Sequence, residues 1–254
     1  MTNLEAIQAR TSRRTYLSTP IEAVKVAELN LLIDQYNATG DLNMFLLLSG
    51  SAVFSSLTKS YGLFKGVNAV FVLKGPEGNP DLKEKLGYYG ELLVLEATKL
   101  GLGTCWVGGT FDHNHKLLQV AEGELLVSVI TVGYVPLEQT LKEKMIFNAV
   151  HRKTKSIAAL YKSDIPTPEW FLAALLAVQI APSAMNSQKV TFQLTDEEDE
   201  SVVTATVPDN YAADMIDLGI AKLHFEIAVN EASGGLRGKF KWGNPGILKN
   251  DSED

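Results

Sequence analysis

The chemistry this sequence offers is concentrated in three short stretches. Near its start it reads Arg10-Thr11-Ser12-Arg13-Arg14-Thr15-Tyr16. Three arginines fall within five residues, and together they can meet one phosphate. Each guanidinium is a planar fork of donors that stays charged at any relevant pH. Ser12 adds a hydroxyl donor. The bland alternative is a solvated basic patch. A second stretch runs Gly101-Leu102-Gly103-Thr104-Cys105-Trp106-Val107-Gly108-Gly109. Glycines let a main chain approach a flat ligand closely, so that its N–H groups can bond a heteroaromatic ring. A helix end followed by a strand and a turn would look the same. The third is Ala181-Pro182-Ser183-Ala184-Met185-Asn186-Ser187-Gln188. Proline fixes the turn, small residues leave room beside a ring, and Asn186 and Gln188 bring directed amides. A plain polar loop is the competing reading.

Composition narrows the setting. The chain has 254 residues, 46% of them hydrophobic and 21% charged, which suits one large or two small globular domains with a real core. Its net charge is −7 and its pI about 5.2. An acidic chain is poorly suited to nucleic acid, whose phosphates call for a basic surface, so an anionic ligand must be met by a few local cations. Cys105 is the single cysteine, which excludes an internal disulfide or a thiolate cluster and fits a reducing, cytoplasmic setting. Of four histidines only His113 and His115 lie close together. With no third ligand beside them they read as a solvated loop, and no metal is expected. No secretory-type segment opens the chain. No run approaches the roughly 20 apolar residues that span a bilayer, so no membrane partner is expected. The final KNDSED reads as a solvated tail.

Helical and strand signals alternate along the chain. Residues 3–10 read as a short helix. Thr19 and Pro20 resemble the start of a second, over residues 21–36, with residues 37–41 as its breaker. Strands are expected over 43–48, over 69–73 (closed by Gly75 and Pro76) and over 125–133. A long helix is expected over 81–100, ending at Gly101. Residues 134–155 read as basic and irregular. A helix follows over about 168–180, strands over 190–194 and 201–207 around an acidic turn, and a helix over about 211–231. Gly234, Gly235 and a strand-like 237–242 close the series. No GxGxxG and no Walker loop occurs, and the mixture predicts an α+β fold rather than an all-parallel doubly wound sheet.

The two halves share an order of elements. Thr19-Pro20 before a helix recurs as Thr167-Pro168, a strand with Phe45 is matched by one with Phe192, and Gly90 and Gly219 precede similar apolar helical runs. This reads as an internal duplication, with residues 1–160 as a first half and 161–254 as a second. A single chain of this kind can imitate a two-fold dimer in which one composite site survives while the other decays.

Together the three stretches make the chain resemble the FMN-dependent nitroreductase family. Arg10, Ser12, Arg14 and Tyr16 match its Arg-x-Ser-x-Arg-x-aromatic signature, and residues 182–188 are similar to its Pro-Ser-x-x-Asn-x-Gln segment. Residues 101–109 resemble the stretch that lies along the flavin ring. Lys142-Glu143-Lys144, followed by Phe147-Asn148-Ala149-Val150-His151, resembles its basic pair and closing segment. The order departs from the family. The Pro-Ser-Asn segment comes only in the second half, the second half lacks the arginine motif, and the family's Gln-Pro-Trp is Gln188-Lys189-Val190. The chain thus resembles the branch with an internal duplication, a fused and partly decayed dimer expected to work as a monomer.

The resemblance implies a nitroreductase-like fold in two pseudo-symmetric halves, with FMN as cofactor. Arg10, Ser12 and Arg14, helped by Lys142 and Lys144, would hold the phosphate and the pyrimidine edge. Gly108 and Gly109 would present backbone to the ring. Pro182, Ser183, Ala184 and Asn186 would close the site from the second half. The implied activity is ping-pong hydride transfer from NAD(P)H through the flavin to a small-molecule acceptor, nitroaromatic or quinone-like, with no catalytic side chain named. The alternatives are a flavin-binding protein without turnover, a degenerate structural protein of the same fold, and another flavin reaction such as oxidative ring cleavage or reductive dehalogenation.

Overall fold

The first helix is capped from both directions. The Thr2 hydroxyl accepts the Glu5 N–H at 3.2 Å, and the Glu5 carboxylate accepts the Thr2 N–H at 2.8 Å. This closes a capping box on α1, Asn3–Ala9. The computed structural model describes residues 1–54, 62–150, 152–197, 200–232 and 240–244. It divides into two compact units, Met1–His151 and Arg152–Asp254, with an α+β mixture of elements in each.

After α1, the first unit holds α2 (Ala23–Gly40), β1 (Phe45–Leu47), β2 (Ala69–Pro76), α3 (Leu82–Lys99), β3 (Gly103–Val107), β4 (Glu124–Gly133) and α4 (Leu141–Val150). Its sheet has the order β1-β2-β4-β3 and is antiparallel throughout. The apolar run Ala69-Val70-Phe71-Val72-Leu73 is buried residue after residue, because both faces of the central strands are covered. On one face Val70, Val72 and Val129 join Tyr16, Val107, Phe111 and Leu118 in a cluster. On the other lies α3, which contacts β2, β3 and β4. The approach there is close: a Cβ on Gly90 would stand 2.6 Å from the Trp106 ring.

Three expectations need correction in this unit. Thr19 does not cap α2, which begins at Ala23 behind Glu22 with no side-chain cap. Residues 37–40 do not break that helix; it runs to Gly40 and stops at Asp41, whose φ is 54°. The Asn37 amide instead shapes the turn beyond, donating to the Met44 carbonyl and accepting the Met44 N–H at 2.8 and 2.9 Å. Finally, residues 134–155 contain α4. The apolar residues of that helix do not mark its buried side: Leu141 and Met145 are exposed at 80% and 72%, while Glu143 is the buried one among its described residues.

The second unit holds β5 (Tyr161–Ser163), α5 (Glu169–Gln179), β6 (Thr191–Glu197), β7 (Glu200–Thr206), α6 (Asp214–Ala232) and β8 (Lys241–Trp242). Its sheet has the order β5-β6-β7-β8; the outer pairs are parallel and the central pair antiparallel. α5 and α6 pack on each other. Phe225 of α6 meets Trp170, Phe171, Phe192 and Trp242 with ring centroids 5.0–6.3 Å apart. Gly234, Gly235 and residues 237–239 of the strand-like stretch lie outside the described residues. A succession of helix, strand, strand, helix occurs in each unit: α2, β1, β2, α3 in the first and α5, β6, β7, α6 in the second. Among the described residues no helix is long and apolar enough to cross a membrane.

Candidate functional site

The arginine motif leaves α1 as extended chain. Arg10 is the C-cap residue of α1, with φ −66° and ψ 138°. Ser12 bridges Thr104 of β3 in parallel fashion, and the Arg13 N–H donates to the Thr104 carbonyl at 2.8 Å. Two residues on, the Lys65 N–H donates to the Arg14 carbonyl and the Tyr16 N–H to the Lys65 carbonyl, both at 2.9 Å. In extended chain alternate residues share a side, so the x-spacing of Arg10, Ser12 and Arg14 puts them together and turns Arg13 away.

The contacts follow that division. Arg13 is buried, and its guanidinium donates to the carbonyls of Pro136 and Glu138 and to Glu143 Oε1 at 2.8, 3.1 and 3.3 Å. It belongs to the scaffold. Tyr16 does too: its hydroxyl donates to the Arg13 carbonyl at 2.8 Å and lies 2.6 Å from that of Thr131. Arg10, Ser12 and Arg14 gather instead around the buried Cys105. Burial pushes that thiol up, while the Arg14 charge, the Ser12 hydroxyl and the Arg10 charge pull it back. Arg10 Nε lies 3.9 Å from Glu91, a fully buried carboxylate that also accepts the Trp106 indole N–H at 2.8 Å. Among the described residues the half-buried Arg14 guanidinium has no hydrogen-bond or ion-pair partner.

One carboxylate underlies the motif, and sequence reasoning passed over it. Glu143, 1% exposed, sits between Lys142 and Lys144 on α4. Its Oε1 accepts the N–H groups of Arg14 and Thr15 at 2.7 and 3.1 Å besides the Arg13 Nε. Its Oε2 accepts the Thr140 N–H and hydroxyl at 2.8 and 3.0 Å. Burial works against its charge, but the N–H groups of Arg14, Thr140 and Thr15 and the Arg13 guanidinium prevail and hold the pKa at about 2. A depressed carboxyl contributes stability that is complete above its unfolded value of 4.5 and is lost as pH falls toward 2. The only signal in the sequence was an acid between two lysines.

The two lysines do not act as a pair. Residues two apart on a helix point to different sides. Lys142 donates to the Gly62 carbonyl, and Lys144 is exposed. Gly108 and Gly109 follow β3 with uncovered main chain, where a Cβ on either would meet nothing within 4 Å. His113 stacks on Phe111 at 3.9 Å, and His115 accepts the Leu117 N–H. Among the described residues no group of His, Cys, Asp and Glu could hold a metal ion.

In the second unit, Pro182, Ser183, Ala184 and Asn186 form a loop that contains a short 3-10 turn, Ala184–Asn186. Met185, Asn186 and Gln188 all have left-handed φ, 54°, 50° and 45°. The loop is bonded within its own unit. The Ala184 N–H donates to both Asp217 carboxylate oxygens at 3.1–3.2 Å, and the Asn186 amide donates to the Arg152 carbonyl at 2.8 Å. The Ser183 hydroxyl accepts the Gln188 N–H at 3.1 Å. Gln188 is buried, accepting the Lys155 N–H and donating to the Gln179 carbonyl.

With this geometry in view, comparison with known proteins is decisive for the family. The family model described as "Putative TM nitroreductase" matches residues 3–229. The chain belongs to this family. Membership places it among oxidoreductases of nitroreductase type. The fold agrees with a solved "putative nitroreductase" from Thermotoga maritima, at 22% identity and a TM-score of 0.57, covering 91% of this chain and 85% of that one. Two weaker likenesses cover a little over half of this chain. An "FMN-dependent Nitroreductase" from Clostridium difficile R20291 has 17% identity and a TM-score of 0.43, covering 58% of this chain and 96% of that one. A "Putative NADH Oxidase" from Clostridium acetobutylicum has 18% and 0.44, covering 53% and 89%. No curated protein matches the chain.

Proposed function

We propose that this member of the nitroreductase family binds FMN and is an NAD(P)H-dependent reductase of nitroaromatic or quinone-like acceptors. The observation that carries the reading is the Arg14 guanidinium, half-buried and without a protein partner among the described residues. It shares the surroundings of Cys105 with Arg10 and Ser12, and an anion is what such a donor set accepts. The open main chain at Gly108 and Gly109 suits a flat ring. Bound FMN would supply the two-electron chemistry between nicotinamide and acceptor.

This chain's own residues then have distinct tasks. Arg14, Arg10 and Ser12 hold the phosphate and the pyrimidine edge, and Lys142 and Lys144 add positive charge nearby. Arg13 and Tyr16 hold the segment rather than the ligand. The family resemblance assigns a further set of contacts to Pro182, Ser183, Ala184 and Asn186. Asn186→Ala is expected to lower FMN affinity severalfold in a flavin-fluorescence titration.

Arg14→Ala is expected to weaken FMN binding by about 1.5–3 kcal/mol, the scale of a hydrogen bond to a charged group. Titration of parent and variant with FMN, followed by flavin fluorescence, measures this; equal affinity would refute the assignment. Steady-state NAD(P)H consumption with a quinone or a nitroaromatic should give ping-pong kinetics. A protein that binds FMN without such turnover is instead a flavin carrier or sensor, a reading favoured by Lys189 and Val190 standing where the family has Pro-Trp.

A further inference from the structure

Glu91 of α3 is fully buried, and burying a carboxylate is costly unless it is paired and bonded. The Trp106 indole N–H donates to its Oε2 at 2.8 Å. A neutral glutamine oxygen would accept that N–H as well, so the indole accounts for an acceptor and not for a charge. The charge is matched by Arg10, whose Nε lies 3.9 Å from Oε1. A buried ion pair contributes little net stability over well-packed neutral groups of similar volume. What it does change is the charge that the arginine motif presents. Arg10 is offset inside the protein, whereas the Arg14 guanidinium has no ion-pair partner among the described residues.

Glu91 is also tied to the strand that leads to the open glycines. Trp106 stands in β3 two residues before Gly108, about 7 Å away along extended chain. Its ring is fixed against α3, where a Cβ on Gly90 would stand 2.6 Å from it. One carboxylate therefore joins Arg10 of the motif to the stretch that the FMN reading gives to the ring. The Arg10 and Glu91 side chains are only 10% and 0% exposed, so water and salt screen their charges weakly. Charge near the pyrimidine edge sets how readily a flavin takes up electrons, because the reduced ring carries a negative charge there that the oxidised ring lacks. On the FMN reading above, we propose that Glu91 is a positioning residue that lowers the midpoint potential of the bound flavin, by holding Arg10 and offsetting its charge. The indole bond alone would have no such effect.

The test is the midpoint potential of FMN bound to the full chain at pH 8, read from flavin absorbance during reduction beside a reference dye. Glu91→Gln keeps an acceptor for the indole and loses the charge. It is expected to favour reduced over oxidised flavin about tenfold more than the parent does, a rise of about 30 mV for a two-electron couple. Arg10→Gln should shift the ratio by a similar factor the other way, and the double variant should return to within about twofold of the parent. Trp106→Phe removes the indole N–H and leaves both charges, so its ratio should also stay within about twofold. An unchanged or lowered potential in Glu91→Gln overturns the proposal. So does an equal rise in Trp106→Phe, which would make the effect one of packing. If Glu91→Gln alone does not fold, Arg10→Gln is compared with the double variant: a higher potential in the double variant supports the proposal, and equal potentials overturn it. A parent that binds no FMN refutes the FMN reading and this role together, whereas a parent that binds FMN with the potentials in another order refutes this role alone.

Discussion

At pH 8 the Asp217→Asn protein is expected to be more stable than the parent by about 2–4 kcal/mol, and at pH 5 by less than half as much. Asp217 is 4% exposed on α6. Burial pushes its carboxyl up from 3.8 to about 7, the Ala184 N–H pulls it back and the Asp214 charge pushes it further up. The folded protein therefore holds a proton that the unfolded chain has released between about pH 4 and 7. Unfolding free energy falls as pH rises through that window and levels off above it. A gap of about three pH units corresponds to about 4 kcal/mol. Asparagine stays neutral throughout and retains an oxygen for the Ala184 N–H, so it escapes most of this cost. Urea denaturation of both proteins at pH 5 and 8 measures it. A difference that is the same at both pH values, or that favours the parent at pH 8, would sink the account. The ionised carboxylate is also the stronger acceptor for the Ala184 N–H. The loop with three left-handed residues is therefore held hardest where the fold is weakest.

Phe225→Ala is expected to cost about 3–5 kcal/mol, the range for removing a buried aromatic ring. Phe225 is 0% exposed. It touches rings from α5, β6 and β8, at 5.5 Å to Phe171, 5.0 Å to Phe192 and 5.7 Å to Trp242. Its loss opens a cavity where α5 and α6 meet the sheet, and rings anchored on three elements cannot close it together. Part of the loss is the ring-on-ring preference beyond buried area. Phe225→Leu fills most of the volume and should cost well under half as much. Denaturant midpoints for both variants check this; an alanine variant within about 1 kcal/mol of the parent would show that the cavity collapses.

Much of the fold was legible because its signals are local. The helix Leu82–Lys99 ends two residues before Gly101, whose φ of 76° is the conformation that glycine supplies at a helix end. The strands Ala69–Pro76 and Glu124–Gly133 announce themselves as largely apolar runs, since residues 69–75 and 128–133 are buried one after another. Arg10, Ser12 and Arg14 were legible for a similar reason: their spacing matches the two-residue period of extended chain. What escaped depends on distant partners. Nothing near residue 143 shows that its carboxylate lies beneath Arg13, Arg14 and Thr15. The helix that carries it buries too little apolar surface to declare itself. Gln188 looked like a directed amide for a ligand, yet its amide is bonded to residues 155 and 179. Spacing reveals which residues share a side, and not which partner claims them.

The reach of Glu143 across 129 positions also sets an order of events during synthesis. The arginine segment leaves the ribosome early, and the carboxylate that grips its main chain follows about 6–26 seconds later at common elongation rates. Until then the segment has its main-chain bridges to Lys65 and Thr104 but not the carboxylate grip. The seating of the Arg14 main chain is therefore completed only as the first unit closes upon itself.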